Sequence, residues 1–335
     1  MRTGGQPMKV ITLTLHLHQR FFPKVLTVTG FILLLFLVPL LAIQSSFLLQ
    51  VLSTSFLYAA LSLSWNLLAY SGHISLGHAA FFGLGAYGSA LFALNFDTDP
   101  FTSIWAGGLA GALLAAFSGI LFARLRGAYF ALATLALVEI PKMIADNWVS
   151  LTRGSLGLLN IPPFKLPLIN ANSNLTIYLV NLSSLTILLL VVALILNSRW
   201  GWALRALRQD EKVSMTIGIN SNFYTLITIS VSGFGAGICG AIFAHSIGII
   251  EPGMVFSLHY SALPMVMALF GGRFSVIGPV VGSLVLTLLD QFVFQPIFPA
   301  GHQILYGLAI MITILFMPGG LMGLLGARKH GITGS

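Results

Sequence analysis

Apolar residues in this chain gather into long runs separated by short polar stretches. The runs lie at roughly 25–43, 47–69, 75–95, 104–123, 128–148, 174–196, 223–248, 258–272, 275–296 and 303–318. A helix needs about 20 apolar residues to cross the hydrocarbon core of a bilayer, and nearly every run supplies them. The pattern predicts an all-α polytopic membrane protein of about ten transmembrane helices. The run at 258–272 is short, and Gly271, Gly272, Gly278, Pro279 and Gly282 interrupt its junction with the next. Eight crossings plus one re-entrant pair is therefore the alternative count. The expected organisation is a tail over 1–24, a membrane domain over 25–318 and a second tail over 319–335.

Composition agrees. Only 7% of the residues are charged and 57% are hydrophobic, whereas a soluble domain averages about 25% charged. Such a chain cannot cover a water-facing surface. The net charge of +8 is spread over many loops, so it does not suggest nucleic-acid binding. It suggests topology. The basic tail (Arg2, Lys9, Arg20, Lys24) precedes 25–43, which is too long for the core of a cleaved leader and reads as a first span. With that tail inside, ten crossings put thirteen of the sixteen Lys and Arg residues on the inner side. Lys142, Arg153 and Lys165 fall outside, together with Asp97, Asp99, Asp146 and Glu251. Positive loops face the cytoplasm, so both termini are expected there. The 149–173 loop is expected outside as an ordered, irregular segment rich in Gly, Pro and Asn.

The sharpest local departure is 199–220, RWGWALRALRQDEKVSMTIGIN. Six charges fall within fourteen residues: Arg199, Arg205, Arg208, Asp210, Glu211 and Lys212. A polar helix between two spans lies at the membrane surface, either resting on anionic lipid or held by another protein. As one helix over 203–217, it would place Arg205, Arg208 and Lys212 on one face, with Gly218 as the C-terminal stop. The acidic pair Asp210–Glu211 would cancel part of any attraction to anionic lipid. Mixed charge favours protein docking.

Chemistry within the spans is sparse. The chain has no G-x-x-x-x-G-K-[ST], no H-E-x-x-H and no G-x-S-x-G; it has one cysteine, Cys239, in an apolar run. It cannot be a P-loop ATPase by itself, and a membrane-embedded enzyme lacks a nucleophile, a metal set or paired carboxylates. Tyr70–Gly88, YSGHISLGHAAFFGLGAYG, holds five glycines and two histidines. One reading is close helix packing through small residues. The other is a broken helix beside a substrate path, with Gly72, Ser75, Gly77 and His78 as its lining. Glu139 lies inside the fifth run, followed by Pro141; it either faces a cavity or pairs with Lys142.

These residues carry a resemblance. SWNLLAYSGHISLGHAAFFGLGAYGSAL (64–91), GAYFALATLALVEI (127–140), GWALRALRQDEKVSMTIGIN (201–220), FGGRFSVIGPVVGSLVL (270–286) and LYGLAIMITILFMPGGLMGLL (305–325), in this order, resemble the LivM-type permease subunits of branched-chain amino-acid ABC transporters. The outer stretch TRGSLGLLNIP (152–162) is similar to that family's as well. Two places depart from the family pattern. His73 stands where the family has Gln, and Arg273–Phe274 interrupts a glycine-rich turn; both bear on substrate more than on fold. The resemblance implies an ATP-driven importer of branched-chain amino acids, or of urea or short-chain amides, in the bacterial inner membrane. It implies a homologous second permease, two cytoplasmic ATPases and an external binding protein, with lipid around the assembly. ATP and Mg would sit on the ATPases and no cofactor on this chain. The 199–220 segment would couple to an ATPase through Arg205, Arg208, Asp210, Glu211, Lys212 and Gly218. A stand-alone secondary transporter or channel is the alternative, and it would rest on Glu139 and His78.

Overall fold

The structure, a computed structural model, describes residues 46–165 and 173–299, then parts of 301–327 of which 319–327 is the continuous stretch. The 25–43 run lies outside the described residues, as does most of 303–318. The described residues from 50 onward form one compact unit, and the contacts below lie within it.

The described residues are overwhelmingly helical. The long elements are α1 (Ser46–Ala69), α2 (His78–Phe96), α3 (Pro100–Leu121), α4 (Gly127–Asn147) and α5 (Ser173–Asn197). A short polar pair, α6 (Arg199–Gln209) and α7 (Glu211–Thr216), leads into α8 (Ser221–Ile247). α9 (His259–Gly271), α10 (Gly278–Leu289) and α11 (Gly320–Ala327) follow. Eight helices are long and apolar enough to cross a membrane, one for each run that falls within the described residues. The chain is a multi-pass membrane protein.

The short eighth run is resolved by extension. A helical turn at Pro252–Val255 precedes α9, and together they span the 20 residues Pro252–Gly271. The ninth continues past α10 through a π-helical turn, Asp290–Phe294, to Ile297. Both therefore reach crossing length.

α2, α3 and α8 form the centre. Lipid tails are as apolar as Leu, so helices in a membrane gain little from hydrophobic burial and associate by close packing. Small residues make that contact here. A Cβ on Gly107 would lie 2.5 Å from the Gly85 carbonyl oxygen, and one on Gly237 would lie 2.6 Å from that of Gly107. Neither has room for a side chain. Several buried polar groups of this core pair across helices. His78 Nε2 meets Ser232 Oγ at 3.0 Å, and Ser232 Oγ donates to the Ser64 carbonyl at 2.8 Å. Ser89 Oγ meets His245 Nε2 at 2.8 Å.

The connecting loops fall into two groups. At one end, Asn66 Nδ2 donates to the Ser275 carbonyl at 3.0 Å, and the 70–77, 122–126 and 198–220 segments meet. At the other, Leu158 and Ile250 pair through backbone hydrogen bonds of 2.8 and 3.0 Å, and Phe101 lies 5.3 Å from Phe164. Alternate loops thus share an end, as the alternation of charge requires.

Gly107→Leu should overpack the α2–α3–α8 contact, a class of change that costs about 1–3 kcal/mol. The expected outcome is loss of folded, monodisperse protein extracted from membranes, read by size-exclusion chromatography. Cys239→Ala, in α8, should leave that profile unchanged.

Candidate functional site

The polar segment begins with a sharp turn out of α5. Ser198 caps α6 by accepting from the Trp200 amide at 3.1 Å. α6 buries Ala203, Leu204 and Leu207 and exposes Trp202. At Asp210 the helix stops. The backbone there is extended (φ −155°, ψ 110°), and the carboxylate accepts from the Val213 amide at 3.1 Å to cap α7. The single helix expected over 203–217 is therefore two, because a short carboxylate competes with the helical ladder and favours the N-cap. Gly218, at φ +87°, ends α7 in the left-handed conformation expected of a stop, and its amide donates to the Met215 carbonyl at 3.1 Å.

The break redistributes the charges, so Arg205, Arg208 and Lys212 do not form one face. Arg205 Nη1 donates to the Leu196 carbonyl at 3.2 Å, and its guanidinium lies 4.7 Å from the Trp202 ring. Arg208 turns inward. Its guanidinium lies 3.9 Å from the Phe274 ring centroid and 5.9 Å from that of Tyr70. Gly72, at φ +86°, lets the 70–77 segment lie against the Arg208 backbone. Burial lowers the Arg208 pKa, with Tyr70 acting in the opposite sense; burial likewise pushes the Tyr70 phenol up to about 12. Lys212 belongs to α7 and is exposed, as are Val213, Met215 and Ile217.

Glu211 also turns inward. It accepts from Arg126 Nε at 2.6 Å through Oε2, while Oε1 takes bonds from Arg126 Nη2 and Ser221 Oγ. Burial raises the Glu211 pKa, but the Arg126 and Ser221 hydrogen bonds and the Arg126 charge outweigh it, and the carboxyl sits below its ordinary value. Arg126 Nη1 reaches the Ala123 and Leu125 carbonyls at 2.9 and 3.1 Å and His73 Nε2 at 3.3 Å. Burial, then the Arg126 charge, hold His73 down to about 4, so its imidazole is neutral at physiological pH.

The 70–77 break between α1 and α2 is tied rather than open. Trp65 Nε1 donates to the Ser75 carbonyl at 2.8 Å, Ser75 Oγ accepts from the Gly77 amide at 3.1 Å, and Thr134 Oγ1 accepts from the Leu76 amide at 3.0 Å. Gly77 leaves 2.6 Å between a would-be Cβ and the Thr134 carbonyl. His78 is fully enclosed. Glu139 is exposed on α4 and meets Lys142 Nζ at 3.5 Å, which is the pairing that its spacing allows. No described contact joins Glu139 to His78.

Sequence reasoning missed Arg126, Phe274 and Tyr70 as members of this site. Arg126 is one of the thirteen inner-side Lys and Arg residues, with nothing in its local sequence to set it apart. One signal was available: an acid inside a basic segment needs a cation, and the 122–126 loop on the same side supplies Arg124 and Arg126.

Eight apolar helices among the described residues, with a polar segment between two of them, define a multi-pass membrane protein. Residues 47–315 match the family described as "Branched-chain amino acid transport system / permease component", and the chain belongs to that family. It is 25% identical over 297 residues to the high-affinity branched-chain amino acid transport system permease protein LivM of Escherichia coli, covering 82% of this chain and 69% of that one. It is 22% identical over 285 residues to LivH of Salmonella typhimurium, covering 79% and 91%. The nucleoside ABC transporter permease protein NupC of Lactococcus lactis is 22% identical over 235 residues, covering 66% and 73%.

The depressed Glu211 pKa has a direct consequence. Its contribution is present above the unfolded carboxylate value of 4.5 and is lost as pH falls through the lower folded value. The melting-temperature difference between parent and Glu211→Gln should stay constant from about pH 5.5 to 8 and shrink below about pH 4.5. Thermal unfolding in detergent across that range measures it.

Proposed function

We propose that this permease subunit of an ABC importer uses the 199–220 segment to receive the stroke of a cytoplasmic ATPase. The observation that carries the reading is the two-sided build of that segment. Arg208 and Glu211 anchor its inner side, while α7 and the residue after it present Lys212, Val213, Met215 and Ile217 outward. An amphipathic cytoplasmic knob backed by fixed anchors suits insertion into a protein cleft. The chain has no P-loop, so the ATP, Mg and hydrolysis of an ABC importer belong to partner chains.

In the full reading the segment faces the cytoplasm of a bacterium, with both termini on that side. Spans at 25–43 and 303–318 bring the crossings to ten. A homologous second permease completes the pathway, two ATPases drive it, and an external binding protein meets the 149–173 loop. The names of LivM and LivH support a branched-chain amino acid as substrate, and that of NupC makes a nucleoside the comparison to run beside it. The alternative of a self-sufficient carrier gains nothing from Glu139 and His78, which lie apart, one paired with Lys142 and the other enclosed.

Val213→Asp with Ile217→Asp should strip the ATPases from the complex and reduce radiolabelled leucine uptake at least about tenfold, with membrane insertion intact. Affinity pull-down of the tagged permease and uptake into whole cells measure this. ATPases that stay bound to the double variant would refute the docking role.

A further inference from the structure

Resting on the coupling role proposed above, we infer that Arg126 is a positioning residue that passes movement of α7 into α4. One ion pair joins five pieces of backbone here. Arg126 is the residue immediately before α4, in extended conformation (φ −133°, ψ 153°), and Gly127 follows at φ +56° with open space around it. Its guanidinium is held to the turn at the end of α3 through the Ala123 and Leu125 carbonyls. It contacts His73 in the α1–α2 linker at 3.3 Å. Its two remaining donors grip Glu211, the first residue of α7, and Glu211 in turn takes a bond from Ser221, the first residue of α8. Paired charge-assisted bonds of this kind fix orientation as well as distance.

The arrangement makes a choice between two routes. Arg208 rests on the faces of Phe274 and Tyr70, contacts without fixed direction that tolerate sliding. The Glu211–Arg126 fork does not. A displacement of α7 therefore pulls on residue 126 first, and Gly127 is the hinge beside it. α4 is the span that follows. Its buried residues, Phe130, Thr134, Leu137, Val138, Pro141 and Ala145, form a single stripe, and it carries the exposed Glu139–Lys142 pair. A helix packed along one stripe and tied at one end by a rigid fork is the element that would move.

The test uses the complete transporter, purified in lipid nanodiscs with its ATPases, carrying Met143→Cys on the exposed side of α4; the native Cys239 is buried. Labelling at position 143 by a maleimide is followed with and without ATP. ATP should change the parent labelling rate at least about fivefold. Arg126→Ala should abolish that change while the ATPases stay bound and keep hydrolysing. Arg126→Lys, which keeps the charge and loses the fork, should fall between. The Arg126→Ala/Glu211→Ala double variant should be no worse than either single change, because both remove the same link. The inference is overturned by an ATP response that is absent from the parent or survives Arg126→Ala. It is also overturned by single effects that multiply in the double variant, or by loss of the ATPases from Arg126→Ala. Failure of the docking reading has another signature, ATPases retained by Val213→Asp/Ile217→Asp.

Discussion

The close approach of three helix backbones sets everything else in this molecule. In water, burial of apolar side chains would hold α2, α3 and α8 together; in lipid that drive is absent, and contact distance takes its place. Gly85, Gly107 and Gly237 let main chains touch where side chains would hold them apart. The buried His78–Ser232–Ser64 chain then becomes affordable, since His78 Nε2 and Ser232 Oγ find partners at distances fixed by that packing. A rigid centre leaves the outer helices, α4 and α10 among them, mostly uncovered within the described unit.

That division of labour bears on transport. A permease must be stiff enough to seal the membrane and loose enough to open. The stiff part here is tied by backbone contact and hydrogen bonds. The loose part is tied at its ends. The polar segment sits where the two meet: α6 and α7 hang from α5, bond the first residue of α8 and grip the start of α4 through Glu211 and Arg126. The charges that stand out in the sequence are thus mostly structural on their inner side. The exposed side is largely apolar at its tip, with Val213, Met215 and Ile217.

The glycine-rich stretch 70–88 divides between the two readings open to it. Gly83, Gly85 and Gly88 lie inside α2 and meet Phe256, Gly237 and Ala110 at close range, so they serve packing. Gly72 and Gly77 lie in the break between α1 and α2, whose amides and carbonyls are taken up by Trp65, Ser75 and Thr134. The break is real, and it is filled by the protein's own groups.

Length, apolar runs and loop charge determined the class of protein, the position of eight spans and the sharing of ends by alternate loops. Those follow from one-dimensional requirements: a bilayer has a fixed thickness, and charge does not cross it freely. The polar segment was visible for the same reason. Tertiary structure alone decided which way its charges face. Helices apolar on every side carry no periodicity to orient them, and Glu211 finds its cation 85 positions away in sequence. The stop at Asp210 was likewise hidden, because an aspartate inside a helical pattern becomes a cap only when the chain must turn to bring Glu211 to Arg126.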